Sequence, residues 1–67
     1  MDMGRLVRMA NEIARFYTSQ SGDAAAATAA HLDQFWEARM RLALKAHLAT
    51  GGAGLDPVAR DAARLMR

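Results

Sequence analysis

The sequence predicts an all-α fold, a small bundle of three to four short helices, and three observations carry that reading. Apolar residues recur at three- and four-residue steps near the start of the chain, from Leu6 to Tyr17. An alanine-rich run follows Asp23, a residue suited to opening a helix. Further on, Gly51-Gly52-Ala53-Gly54 gives way to Asp56-Pro57, the pattern of one helix stopping and another starting. The 67 residues form a single helical domain, 1–67, with helices expected at about 4–18, 23–36, 38–50 and 57–66.

In the first helix Leu6, Met9, Ala10, Ile13, Phe16 and Tyr17 are expected on the buried face, with Arg8, Asn11, Glu12 and Arg15 opposite. Thr18-Ser19-Gln20-Ser21-Gly22 is short-chained and polar, and reads as a loop. Asp23 then caps a helix through Ala24-Ala25-Ala26-Ala27-Thr28-Ala29-Ala30, whose small side chains suit close packing against a larger protein or serve as a solvated filler turn. Leu32, Phe35 and Trp36 extend that stripe, and Met40, Ala43, Leu44, His47 and Leu48 carry a similar one onward. A single helix from Asp23 to Thr50 would be about 42 Å long, so a break is expected near Glu37-Ala38, although neither residue is a breaker. Leu55, Val58, Ala62 and Leu65 form the apolar stripe of the last helix, whose final turn is expected to fray.

Sixteen of the 67 residues are alanine, so few large apolar side chains remain to build a core. A domain this short buries only about 60% of its unfolded surface, and the chain has no cysteine for a disulfide or thiolate metal site. A binding partner is the expected source of the missing stability. No apolar run reaches the roughly 20 residues of a membrane span. The N-terminus lacks the apolar block of a secretion signal, so a cytoplasmic location is expected. A net charge of +2 is too small to argue for nucleic-acid binding by itself.

Catalytic and ligand patterns are also missing. The glycine cluster has neither a preceding strand nor the Gly-Lys-Ser/Thr ending of a phosphate loop. His31 and His47 stand sixteen positions apart without a carboxylate at ligand spacing, and Ser19 and Ser21 have no nearby base. Asp33 and Glu37, one helical turn apart, read as solvated carboxylates. The chain is expected to be no enzyme by itself, with no catalytic, cofactor or metal residues.

The informative stretch is instead His31 to Leu55, which holds Trp36, Phe35 and both histidines. An aromatic pair directly before Arg39-Met40-Arg41 has the composition of a protein interface. The candidate partner-binding residues are His31, Phe35, Trp36, Arg39, Arg41 and His47. Neighbouring helical positions differ by about 100°, so Phe35 and Trp36 cannot share one face. Leu32, Met40 and Leu44 are phased with Trp36, which places Trp36 inward and leaves Phe35 outward, with His31 and Arg39 one turn to either side.

The order of the residues adds a resemblance. Leu6-Val7-Arg8-Met9-Ala10-Asn11-Glu12-Ile13-Ala14, His31-Leu32-Asp33-Gln34-Phe35-Trp36, Arg39-Met40-Arg41, and Ala46 through Val58 closely resemble the delta subunit of NAD-dependent formate dehydrogenases. The family's usual Asp-Pro after the tryptophan is Glu37-Ala38 here, so the proline that would force the helix break is missing. The resemblance implies an accessory subunit of a soluble, cytoplasmic, molybdenum- or tungsten-dependent formate dehydrogenase. In that family the alpha subunit carries the metal–pterin site, and beta and gamma subunits carry FMN and iron–sulfur clusters. The delta chain would bind and stabilise the alpha subunit or assist its cofactor loading, with neither nucleic acid nor membrane as partner. The competing reading is a free-standing helical regulator that binds nucleic acid through Arg39, Arg41 and Lys45. Those positions do not form one compact stripe, and Asp33 and Glu37 lie close by in sequence.

Overall fold

The computed structural model describes residues 2–20 and 22–67. Among them it contains four α-helices, α1 (Met3–Thr18), α2 (Ala24–Phe35), α3 (Ala38–Ala49) and α4 (Pro57–Leu65), and no strand. The fold is the small all-α bundle that the apolar spacing predicts. Ser21, in the expected loop, and Met1 lie outside the described residues.

Local chemistry accounts for the helix ends. The Asp23 carboxylate accepts from the Ala26 N–H at 3.1 Å and starts α2. Asp2 accepts from the Arg5 N–H at 3.4 Å at the head of α1. α3 closes on two glycines: the Gly52 N–H reaches the His47 carbonyl at 2.9 Å and the Gly51 N–H reaches that of Leu48 at 3.0 Å. This is the Schellman pair of bonds, and it needs the left-handed φ of +117° at Gly51. Arg60 reaches back from α4 and donates to the carbonyls of Gly51 (2.9 Å) and Gly52 (3.1 Å), fixing the turn.

Entry into α4 differs from expectation. Asp56 stands at the N-cap with Pro57 behind it, but its side chain makes no capping bond. The Asp56 N–H donates instead to Oδ1 of Asn11, at 2.9 Å, while Nδ2 of Asn11 donates to the Gly54 carbonyl, also at 2.9 Å. Asn11 is buried, not on the outer face where the spacing put it. Its amide pins the glycine loop onto α1.

The break between α2 and α3 forms without proline. Trp36 and Glu37 take extended backbone, with ψ of 138° and 152°. The Trp36 N–H still donates to the Leu32 carbonyl at 3.0 Å, and the Glu37 carbonyl accepts from Met40 (3.0 Å) and Arg41 (3.1 Å) as α3 begins. The Arg41 guanidinium donates to the Trp36 carbonyl that the break exposes. A continuous helix of about 42 Å would outrun the 31 Å length of the whole bundle. The turn lets Trp36 enter the core instead.

Alanines fill much of the core. α2 and α4 form the most extensive pair, with Ala29, Ala59, Ala62 and Ala63 all buried. Leu32 and Leu44 are fully enclosed, and Leu6, Trp36, Leu55 and Met66 complete the centre. Two expectations about faces are corrected here. α1 buries Leu6, Val7, Ala10, Asn11 and Ala14, a face rotated roughly a quarter turn, at about 100° per residue, from the one its bulky residues mark. Phe16 is therefore exposed. At the C-terminus Leu65 is exposed and Met66 takes the inner position. The Arg67 N–H donates to the Asp33 carboxylate at 3.1 Å just past the last turn of α4.

Candidate partner-binding surface

The rotation of α1 brings aromatic rings to the surface. Phe16 and Tyr17, in its last turn, meet edge to face with centroids 5.1 Å apart. Tyr17 in turn meets His31 of α2 at 6.1 Å, and His31 meets Phe35 at 4.7 Å. His31 and Phe35 are four residues apart on one helix and so share a face. The strip thus runs from the end of α1 along α2 to the break. Its two ends are open, with Phe16 59% and Phe35 64% exposed, whereas neighbouring Trp36 is only 6% exposed. Trp36 is inward and Phe35 outward as expected, although of the residues phased with Trp36 only Leu32 lies on α2, Met40 and Leu44 being beyond the break. Edge-to-face and tilted arrangements are the favoured ones for ring pairs, and they join Phe16, Tyr17, His31 and Phe35 into one aromatic strip.

Beside it lies an open groove of about 530 Å³ between the N-terminal ends of α1 and α3. Leu6, Met9 and Met40 supply its apolar lining, with Asp2, Arg5, Glu37 and Arg39 as charged neighbours. Arg39 belongs here. The expected adjacency of Arg39 to Phe35 by one helical turn does not hold, because the extended Trp36 and Glu37 intervene. For the same reason Asp33 and Glu37 are not neighbours on one helix. Asp33 is engaged by the Arg67 N–H.

The other residues singled out from sequence are used within the fold. The Arg41 guanidinium serves the Trp36 carbonyl. His47 Nε2 lies 2.8 Å from the Ala53 carbonyl in the glycine loop, and Lys45 donates to the Ala63 carbonyl of α4 at 3.2 Å. The structure thus brings His31 and Phe35 together and separates them from Arg39, Trp36, Arg41 and His47. It adds Phe16, Tyr17, Arg5 and Met9, which the sequence reading left out of the surface. A signal for them was present: Arg5, Met9 and Phe16 fall at i, i+4 and i+11, within about 40° of one another around α1.

Among the described residues no group of three or more His, Cys, Asp or Glu side chains is placed to hold a metal ion. No buried side-chain nitrogen or oxygen among them lacks a hydrogen-bond partner. No described helix is long and apolar enough to cross a membrane.

These features define a class, a small all-α bundle whose described buried side-chain polar atoms are all hydrogen-bonded and which carries an aromatic strip on its surface. The family model for the NADH-dependent formate dehydrogenase delta subunit, FdsD, matches residues 5–63, nearly the whole chain. The chain belongs to that family, as the order of its motifs implied. No curated protein and no solved structure matches it.

Proposed function

We propose that this chain is a non-catalytic accessory subunit of a soluble, cytoplasmic NAD-dependent formate dehydrogenase. It binds and stabilises the catalytic alpha subunit or assists its cofactor loading. On this reading the molybdenum or tungsten pterin, FMN and iron–sulfur clusters reside in the alpha, beta and gamma subunits, and formate oxidation coupled to NAD reduction takes place there. Family membership supports the complex. The observation that carries the docking role is the exposed strip of Phe16, Tyr17, His31 and Phe35 on a chain with so thin a core. Large aromatic side chains on rigid helices are the usual anchors of protein interfaces.

The nucleic-acid reading loses support at two of its three cations, Arg39 being the one with no such bond among the described residues. Arg41 and Lys45 donate to main-chain carbonyls, and duplex binding needs cations free to meet phosphates. The test is co-purification. A tagged chain drawn gently from its native cells should bring with it a large metalloenzyme that reduces NAD with formate. A chain that elutes alone, or with nucleic acid released steeply by salt, would contradict the proposal.

A further inference from the structure

The break at Trp36 and Glu37 divides the bundle into two helix pairs, α1 with α2 and α3 with α4. The two helices that the break joins, α2 and α3, touch each other least of any pair, while α2 packs most extensively on α4. Hydrogen bonds between the halves come from groups far apart in the chain: Asn11 to Gly54 and Asp56, and Asp33 to Arg67. None of these contacts needs the two halves to belong to one chain. The link itself holds no helix breaker, neither proline nor glycine. Trp36 and Glu37 already have negative φ, −85° and −61°, so only ψ must turn, from 138° and 152°, to make them helical. A continuous helix would pair the N–H groups of Glu37, Ala38 and Arg39 with the carbonyls of Asp33, Gln34 and Phe35, groups that helix ends leave without helical partners. It would also align Leu32, Trp36 and Met40 in one stripe at four-residue steps. What holds the link bent is local: the Arg41 guanidinium on the Trp36 carbonyl, and the Trp36 ring in the core.

We propose that two copies of this chain exchange halves through that link, forming a dimer in which α2 and α3 run on as one helix. Residues 24–49 would then span about 39 Å, more than the 31 Å of the closed bundle, and the two ends would be covered by different lobes. Each lobe is α1 and α2 of one copy closed by α3 and α4 of the other. It keeps the α2–α4, α1–α4 and α1–α3 packing of the monomer, and for that reason exchange of an identical element is a low-cost route to a dimer. The fold itself selects the partner. The face of α1 and α2 that buries Leu6, Ala29 and Leu32 is shaped to α3 and α4, and a second copy supplies the same two helices. The aromatic strip lies wholly on α1 and α2, so each lobe retains one and the dimer carries two. Exchange and the function proposed above therefore stand or fall separately.

In the closed monomer the tethered halves meet at an effective concentration of mM order, so the dimer should accumulate when the chain is concentrated. The experiment refolds the full chain from denaturant at about 1 mM and measures mass by light scattering after gel filtration. Wild type should show a species of twice the mass of the 67-residue chain beside the monomer. Ala38→Pro places proline at the first position of α3, after a residue that is already extended, so the bent monomer accepts it. A continuous helix does not, and the dimer should fall at least tenfold. Arg41→Ala frees the Trp36 carbonyl only in the bent form and should raise the dimer fraction several-fold. Phe16→Ala/Phe35→Ala should leave the dimer at its wild-type level, which separates exchange from association through the strip. If circular dichroism shows Ala38→Pro misfolded, Glu37→Gly/Ala38→Gly disfavours helix at the link and should lower the dimer in its place. A wild type that stays monomeric at about 1 mM would overturn the proposal. So would a dimer undiminished by the folded proline or glycine variant, or one lost with the two phenylalanines.

Discussion

Replacing Asn11 with alanine should be among the most damaging polar substitutions in this chain, and its magnitude follows from two bonds. The Asn11 amide donates to the Gly54 carbonyl and accepts from the Asp56 N–H, each at 2.9 Å. Neutral hydrogen bonds contribute about 1 kcal/mol each, and a buried group left without its partner costs about 1–3 kcal/mol. The loop groups are only partly buried, so water recovers some of that penalty and a net loss of about 2–3 kcal/mol is expected. A chain of this length has a total stability of roughly 3–10 kcal/mol, so the loss is a large share. For a domain this small it lowers Tm by roughly 10–20 °C. Asn11→Asp keeps the acceptor for Asp56 but turns an oxygen toward the Gly54 carbonyl, and should be at least as costly. Thermal melts followed by far-UV circular dichroism measure both. An Asn11→Ala variant that melts within about 3 °C of wild type would refute the reasoning and show that Arg60 and the Schellman turn hold the loop alone.

Gly52→Ala should destabilise by about 1–2 kcal/mol, because φ is +64° there and a Cβ would lie 2.9 Å from Arg60 Nη1; equal melts of variant and wild type would contradict this. Trp36→Ala should remove about 3–5 kcal/mol and much of the free chain's helicity, whereas Phe35→Ala should leave the helical signal nearly intact. The isolated chain should melt broadly and below about 70 °C, within or under the mesophile range, and a sharp transition above that would show that the alanine core suffices without a partner.

The punctuation of the fold is readable from short-range chemistry, because caps and stops act within one turn. Asp23, Gly51 and Asp56-Pro57 mark helix boundaries in sequence and do so in the structure. That a break is needed follows from length, since a small bundle cannot cover so long a helix; expected near Glu37-Ala38, it falls at Trp36 and Glu37. Faces were harder. Ala10 and Ala14 on α1, and Ala59, Ala62 and Ala63 on α4, take the tight inner positions, which moves bulkier Phe16 and Leu65 outward. A reading weighted by large side chains follows the wrong stripe when alanine fills the inner positions. Asn11 was missed because its partners, Gly54 and Asp56, lie more than forty residues away, and no local pattern announces them. Of the surface, the His31–Phe35 pair was found because it lies on a single helix. Its continuation into Phe16 and Tyr17 depends on how α1 packs beside α2.

The claim that matters most is that the aromatic strip is the docking face of a formate dehydrogenase subunit. The most direct measurement compares Phe16→Ala/Phe35→Ala with Leu42→Ala, which removes an exposed leucine elsewhere on the bundle, in quantitative pull-down of the enzyme with each free chain's helicity checked. Loss of at least tenfold in bound enzyme for the aromatic pair, with Leu42→Ala near wild type, is the expected result. Full binding by the aromatic pair, or loss only with Leu42→Ala, would place the docking face elsewhere and contradict the account.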